Sequence, residues 1–567
     1  MKKETKILLL VYLLIIALKI VLAAFIATPT EFSDGYMYSK IAREIFYWNE
    51  NTLDIIDNSF FPPLYPLLLS PAYIFEKMHL IYPAMKILNA LLSALIIFPV
   101  FFLAKEFLDS KKSLFITIAV AALAGNLNFS NYIMAENIFY PLAAFFFYFS
   151  YKSIISGKNS YAALSGLAAS LCFLAKFLGF AFIPLYLIIF LIFRKGYNLK
   201  FKALAIHYIT ALIFVLPYIY IKLSSSIGER SSVFSADSYL ISLVSAGGIP
   251  MKIAGYFDWI VLYAVYILLA SGIIFGIYSL AGIALKDKRM NIIYGMVFIS
   301  AIITLIMVIT NSVWFGESFL GLFSSRLIGR YTAIFLPPLM IMGYATFSRM
   351  QELPNLKEKL FKPYIIAIAL LVIGIQMSLF VLLPLNNQEL AYLGIIKYGL
   401  ENYIGLPVYT TAICFTVIFT AILALVWILK NKGRWLISLG LALIILTSCI
   451  SYGITAFNAR EWAKSEQYEA GIWLDNNIES NSNILIDEKD MCPINRELKC
   501  LYQTTVSIKG WVSYIGFWLN GNIYSGDPLI PDEKTNYIIT KREFDKSLLY
   551  ETSGSEKIKV YLNDNSQ

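Results

Sequence analysis

Charge and histidine are what this sequence has least of. Only 15% of its 567 residues are Asp, Glu, Lys or Arg, against 58% that are hydrophobic. A soluble chain cannot bury so much apolar surface, because the shell of a folded domain has to be polar, so a water-soluble globular class is excluded. The two histidines, His79 and His207, are isolated and offer no metal constellation. Of the five cysteines, Cys172, Cys414 and Cys449 fall in apolar runs and read as core residues. Cys492 and Cys500 sit in polar sequence near the end of the chain, where a disulfide between them is expected outside the cytoplasm. No internal repeat of the kind that builds inverted-repeat transporters is visible. The first apolar stretch, Ile7 to Ile26, is about 20 residues long and lacks the small-residue cleavage pattern of a secretory signal, so it reads as a retained span.

Long apolar runs are what remains. About thirteen are long enough to cross a bilayer, over 6–27, 82–104, 113–131, 133–151, 161–176, 178–193, 203–222, 258–285, 291–311, 331–348, 364–383, 408–429 and 435–457. The net charge of +9 lies mostly in short connectors such as Lys105/Lys111/Lys112, Arg194/Lys195 and Lys286/Lys288/Arg289. The positive-inside rule puts these in the cytoplasm, which accounts for the charge without nucleic acid. The run 161–193 is decisive for topology. As one helix it would reach about 50 Å, well beyond a hydrocarbon core of about 30 Å. Both of its flanks are basic, so it is expected to be a hairpin turning near Lys176, Gly179 and Pro184. A cytoplasmic N-terminus and an odd number of spans then put the C-terminus outside. The expected fold is an all-α polytopic membrane bundle, residues 1–457, with a small C-terminal α/β domain outside, residues 458–567. In that domain Arg460 to Ile478 has helical spacing, and 483–487, 537–540 and 557–562 have strand character.

The chemistry-bearing candidates fall in the segments this topology places outside. In the first outer loop, 28–81, Met37, Ile41, Ile45 and Trp48 share one helical face and Ser39, Lys40, Arg43 and Tyr47 another. Such a helix is expected to lie in the membrane interface with Asp34 at its N-terminus, as an N-cap, as a general base, or as both. Tyr38 and Lys40 on that helix are substrate-loop candidates, with Pro62, Pro63 and Tyr65 further on. The paired prolines fix an extended entry to a short surface helix, or equally a structural re-entrant turn. Glu136 and Lys176 stand at the outer ends of apolar helices, where an ionisable group is costly. Function is one reason to keep them, and pairing at the membrane boundary is the other. Arg326 and Arg330, at i and i+4, are anomalous outside the cytoplasm. A phosphate-bearing ligand would explain them, since the guanidinium fork matches phosphate oxygens; so would lipid headgroups or pairing with Glu317.

Several motifs recur in a familiar order. They are Asp34-Gly35-Tyr36-Met37-Tyr38, Phe61-Pro62-Pro63-Leu64-Tyr65-Pro66, Met85-Lys86-Ile87-Leu88-Asn89, Met134-Ala135-Glu136-Asn137, Phe173-Leu174-Ala175-Lys176, Gly329-Arg330-Tyr331 and Tyr468-Glu469-Ala470-Gly471-Ile472-Trp473-Leu474. In this order they resemble the lipid-phosphate-sugar-dependent GT-C glycosyltransferases, in particular the protein O-mannosyltransferase group and the bacterial aminoarabinose transferases of lipid A. The resemblance implies an inverting transfer of a hexose or pentose from a polyprenyl- or dolichyl-phosphate donor to a hydroxyl of a glycan, lipid or protein acceptor. It also implies Asp34 and Glu136 as the catalytic carboxylates and Lys176, Arg326 and Arg330 as the phosphate contacts. Gly35 stands where many relatives carry a second acid, and Phe61 where the aminoarabinose transferases carry a lysine. The Trp-Trp-Asp-Tyr-Gly motif of oligosaccharyltransferases is absent. No tightly bound cofactor is expected, with a divalent cation left open. The competing function is a transporter or flippase for a lipid-linked or anionic solute. Transporters place their ionisable residues near the midplane on broken helices, whereas these candidates gather at the outer ends.

Overall fold

The structure is a computed structural model that describes residues 3–30, 32–48, 52, 61–225, 249–314, 329–352, 366–371, 388–429, 432–487, 514–529, 531 and 534–563. Among these, eight helices are long and apolar enough to cross a membrane, or ten when two bent helix pairs are counted as one span each. Two further expected spans are shorter helices, Asn159–Ala175 and Leu336–Glu352. The thirteenth, 364–383, lies mostly outside the described residues. The chain is a multi-span membrane protein.

The hairpin expected over 161–193 is present. Helix Asn159–Ala175 ends where Lys176 turns extended, at φ −157° and ψ 136°, and a 3-10 turn, Phe177–Ala181, leads into helix Phe182–Tyr197. Gly179 makes the return tight: a Cβ there would sit 2.2 Å from the Cys172 carbonyl carbon. Pro184 falls in the first turn of the second helix, which proline tolerates. The run 258–285 corrects the expectation of a straight span. It breaks into Ile260–Ala270 and Ile274–Ile283, bent by 116°. Gly272, at φ +75°, supplies the left-handed backbone that the break needs.

The chain forms two compact units. The first holds Met1–Ile16, Leu92–Asn128 and Glu136–Tyr452, most of the apolar helices. The second holds Ala17–Leu91, Phe129–Ala135 and Gly453–Gln567, so the tail shares one unit with the first outer loop.

In the second unit the tail is a five-stranded sheet of order β2-β1-β3-β5-β4, with β1 Asn483–Asp487, β2 Asn522–Gly526, β3 Tyr537–Thr540, β4 Leu548–Glu551 and β5 Lys559–Leu562. β1 pairs in parallel with β2 and β3, while β5 is antiparallel to β3 and β4. Helix Glu466–Asn477 covers the sheet, burying Ala470 and Leu474 against Ile484, Ile486, Ile539 and Val560. The single helical stretch expected over Arg460–Ile478 is two helices, Gly433–Trp462 and Glu466–Asn477. Ser465 separates them: its hydroxyl accepts the Tyr468 N–H at 3.2 Å, an N-cap that starts a new helix.

The first-loop helix spans Ser33–Tyr47 and is fastened to this tail by its polar face. Arg43 is buried; its guanidinium donates to Asn520 Oδ1 at 3.0 Å, to Asn522 Oδ1 at 3.3 Å and to Asn481 Oδ1, and pairs with Glu44 at 2.5 Å. Lys40 donates to the Leu519 carbonyl. A surface helix with its polar stripe facing water was expected. Here that stripe faces protein instead, and Met37 and Trp48 on the other face are exposed. Asp34 is not the N-cap: Phe32 holds the capping position and Asp34 sits in the first turn, where a carboxylate still favours the helix dipole.

A second fastening joins the end of the first loop to the tail helix. The Asp475 carboxylate accepts the backbone N–H of Met78 at 2.7 Å and of His79 at 3.0 Å and faces His79 Nδ1 at 2.8 Å. Lys77 donates to the carbonyls of Asp475 at 2.7 Å and Ile478 at 3.2 Å. Asp475 therefore caps helix Met78–Ala94 from a distant part of the chain. Asp475→Ala should lower the stability of the purified protein by about 1–2 kcal/mol, as loss of an N-cap does, read as a drop in Tm with unchanged helix content.

Candidate functional site

Each unit carries part of the predicted set. In the second unit Asp34 is partly exposed, and the residue after it abuts the second outer turn: a Cβ at Gly35 would meet Ile133 Cβ at 3.6 Å. The substrate-loop candidates form the packing behind Asp34. Tyr38 is buried edge-on against Phe61 at 4.6 Å and Tyr65 at 4.9 Å. Tyr65 donates its hydroxyl to Asn89 Oδ1 at 2.9 Å, and Asn89 donates its amide to the Tyr132 carbonyl at 2.9 Å. Pro62 is buried, and Pro63 immediately precedes helix Leu64–Leu69. Lys86, from the same motif as Asn89, donates to the carbonyls of Ala23 at 2.7 Å and Ile26 at 2.6 Å, closing the C-terminal end of the first span. The proline loop, the Lys86–Asn89 helix and the second outer turn are thus one hydrogen-bonded frame.

In the first unit Glu136, Lys176 and Arg330 come together. Glu136 is the first residue of helix Glu136–Ser156, where the free backbone N–H groups favour a carboxylate. Its side chain is 1% exposed and pairs with Lys176 Nζ; Arg330 Nε lies 3.5 Å from the same oxygen. Both cations also lie over the Tyr331 ring, Lys176 at 4.8 Å and Arg330 at 5.5 Å from its centre. The Arg330 carbonyl accepts the Tyr140 hydroxyl at 2.7 Å, which fixes the 3-10 turn Gly329–Tyr331 that carries the guanidinium. The two cations retain 15% and 24% side-chain exposure, so they remain open to a further anion. Arg326, Cys492 and Cys500 lie outside the described residues. Among the described residues no three His, Cys, Asp or Glu side chains gather as a metal site would require.

Sequence reading did not single out Glu389. It is buried, accepts the Tyr266 hydroxyl on Oε2 at 2.6 Å, and has no partner for Oε1 among the described residues. Burial pushes its carboxyl up; the Tyr266 hydrogen bond and Arg330 pull it back, and Glu136 adds to the rise. The available signal was the one that marked Glu136, a lone acid at the edge of an apolar helix.

Residues 62–221 match a family model described as dolichyl-phosphate-mannose-protein mannosyltransferase. Among solved structures the chain is similar to ArnT from Cupriavidus metallidurans bound to undecaprenyl phosphate, at 12% identity over 99% of both chains with a TM-score of 0.56. It is also similar to the apo state of ArnT, at 13% identity over 98% of both chains and a TM-score of 0.49. A further similar structure is the Archaeoglobus fulgidus oligosaccharyltransferase tethered to an acceptor peptide, at 12% identity over 93% of this chain and 69% of that one, with a TM-score of 0.41. No curated protein matches the sequence. The ArnT comparison shows the fold, a GT-C membrane bundle with a small C-terminal sheet region, in line with the resemblance carried by the sequence motifs.

Two measurements check this cluster. Lys176→Met strands a buried carboxylate and Glu136→Gln strands a cation, so each should destabilise the protein by up to about 3–5 kcal/mol. The double variant should lose less than the sum, with a coupling of about 0.5–3 kcal/mol in a denaturation cycle. For Glu389 the sign follows from a carboxyl raised on folding. Its favourable contribution is complete below the ordinary glutamate pKa, about 4.3, and is lost as pH rises through the higher folded value. The Tm of the wild type should therefore fall relative to that of Glu389→Gln as pH is raised through that window; parallel Tm profiles would refute the linkage.

Proposed function

We propose that this chain is a membrane glycosyltransferase that moves a sugar from a polyprenyl- or dolichyl-phosphate carrier to an acceptor hydroxyl on the extracytoplasmic face, with inversion and with Asp34 as general base. The observation that carries the reading is the cationic cluster. Lys176 and Arg330 meet the single carboxylate of Glu136, so the trio keeps one positive charge in excess beside a ring that braces both cations. A phosphate is the ligand such a cluster suits. The mannosyltransferase family match over 62–221 and the likeness in fold to ArnT, whose structure holds undecaprenyl phosphate, support the same reading. The basic connectors support the orientation, with the N-terminus in the cytoplasm and the tail outside.

The reaction asks for two things. The acceptor oxygen must lose its proton as it forms the new bond to the anomeric carbon, and Asp34 is assigned to take it. The bond from that carbon to the phosphate oxygen breaks, and its electron pair leaves with the lipid phosphate; Lys176 and Arg330 are assigned to neutralise the charge that grows there. Arg326 is a further cation available for that role. Attack opposite the leaving group inverts the anomeric centre. A departing polyprenyl phosphate is a good leaving group, so no general acid is required, and the two side-chain cations serve where other transferases use a divalent metal. Glu136 holds the cations in register before the donor arrives.

Asp34→Asn is the direct test. The variant should insert and melt like the wild type, while transfer from a labelled lipid-phosphate sugar falls at least about 100-fold, the loss typical of a removed general base. Turnover retained in a folded Asp34→Asn protein would remove the assignment of the base.

A further inference from the structure

We infer that an aromatic cleft beside the first-loop helix is a sugar-binding subsite that takes a neutral pyranose ring, which makes the acceptor a glycan. The inference deepens the transfer reading above and rests on it for the word acceptor, but not for the binding itself. The cleft encloses about 180 Å³ and is lined chiefly by Phe32, Trp462, Ser465, Gln467, Tyr468 and Tyr514. All of these belong to the second unit. Phe32 immediately precedes helix Ser33–Tyr47 and stands two residues before Asp34.

Three properties select the ligand. First, no charged side chain lines the cleft, so it has nothing to neutralise a phosphate and suits an uncharged molecule. Second, its aromatic surface comes from rings already held in place. Phe32 meets Tyr514 edge-on at 4.6 Å and Trp462 at 5.1 Å, Trp462 and Tyr514 lie 4.7 Å apart, and Tyr468 abuts the buried Trp518 at 5.1 Å. Trp462, Tyr468 and Tyr514 nevertheless remain partly exposed. Third, polar groups are interleaved with the rings. The Gln467 amide is steadied by donation to Glu556 Oε2 at 2.8 Å, and the Tyr468 hydroxyl has no hydrogen-bond partner among the described residues. A pyranose offers the matching surfaces: a face of electron-poor C–H groups for the negative face of an aromatic ring, and a rim of hydroxyls for amide and phenol. An apolar lipid chain would leave those polar groups unanswered. Rigid, amphipathic rings bind at low entropic cost, because little has to be ordered on association.

The test measures binding without turnover, on the full-length protein in lipid nanodiscs, with a panel of methyl hexopyranosides as probes and sorbitol as the acyclic control. Saturable binding of at least one pyranoside, in the wild type and in Asp34→Asn alike, with none for sorbitol, is the expected result. Trp462→Leu and Tyr468→Ala should each weaken it at least about tenfold, the scale of a lost aromatic anchor. Tyr468→Phe, which keeps the ring and therefore the fold, should weaken it less. Folding of each variant is checked by Tm and gel filtration. Absence of saturable binding across the panel overturns the subsite, as does binding that survives in folded Trp462→Leu and Tyr468→Ala. Sugar binding together with an active Asp34→Asn protein would sink the base and leave the subsite standing; an inactive Asp34→Asn protein that binds no sugar would do the reverse.

Discussion

A charge taken out of water has to be met by an opposite charge or by several oriented dipoles, and that requirement organises both compact units. In the first, Glu136 would be prohibitive at the start of an apolar helix were it not met by Lys176 and Arg330. Three separate stretches of chain are thereby tied to one carboxylate oxygen: the second outer turn, the hairpin turn and the 3-10 turn at Gly329–Tyr331. In the second unit Arg43 plays the converse part, a buried cation met by Asn481, Asn520, Asn522 and Glu44. Asparagine oxygens stabilise the guanidinium without adding negative charge, so most of its shell is neutral and the pair with Glu44 is only one of several contacts.

The satisfied charges also explain why so few ionisable residues suffice. With only 15% of the chain charged, each buried charge sets the position of an element. Lys86 closes the end of the first span, Asp475 opens helix Met78–Ala94, and Lys77 closes helix Glu466–Asn477 through the Asp475 and Ile478 carbonyls. Helix ends carry unmet N–H and C=O groups, and charged side chains answer them with strong hydrogen bonds. These contacts span hundreds of residues in sequence, so the loop and the tail of the second unit are fastened by termini rather than by a broad apolar face.

What could be read from the sequence divides along the same line. The hairpin turn at Lys176 was legible because its cause is local: a helix twice too long for the bilayer with basic residues at both ends. Glu136, Lys176 and Arg330 were legible as costly charges, and β1, β3 and β5 as strand-forming runs. The docking of the first-loop helix was not, because its polar stripe of Ser39, Lys40 and Arg43 is ambiguous without the partner. Water and a wall of asparagines ask for the same residue types, and the asparagines arrive more than 430 positions later. Glu389 escaped for a related reason: its partner Tyr266 is 123 residues away, and one acid beside an apolar helix carries little weight alone. The break at Gly272 was hidden in uniformly apolar sequence, where hydropathy does not distinguish a straight helix from a bent one.

The fastening of the first-loop helix bears on how a base at Asp34 could be held. A carboxylate near a helix N-terminus inherits the precision of that helix, and a lone helix of fifteen residues has little of its own in water. Arg43 and Lys40 supply it from the tail, two to three turns along the same helix, while Tyr38, packed on Phe61 and Tyr65, fixes its rotation. Side chains carried on a supported helix hold geometry better than those on a free loop. On this argument the tail is the support of the first outer loop, and the sequence distance between them measures how late in folding Asp34 acquires its final place.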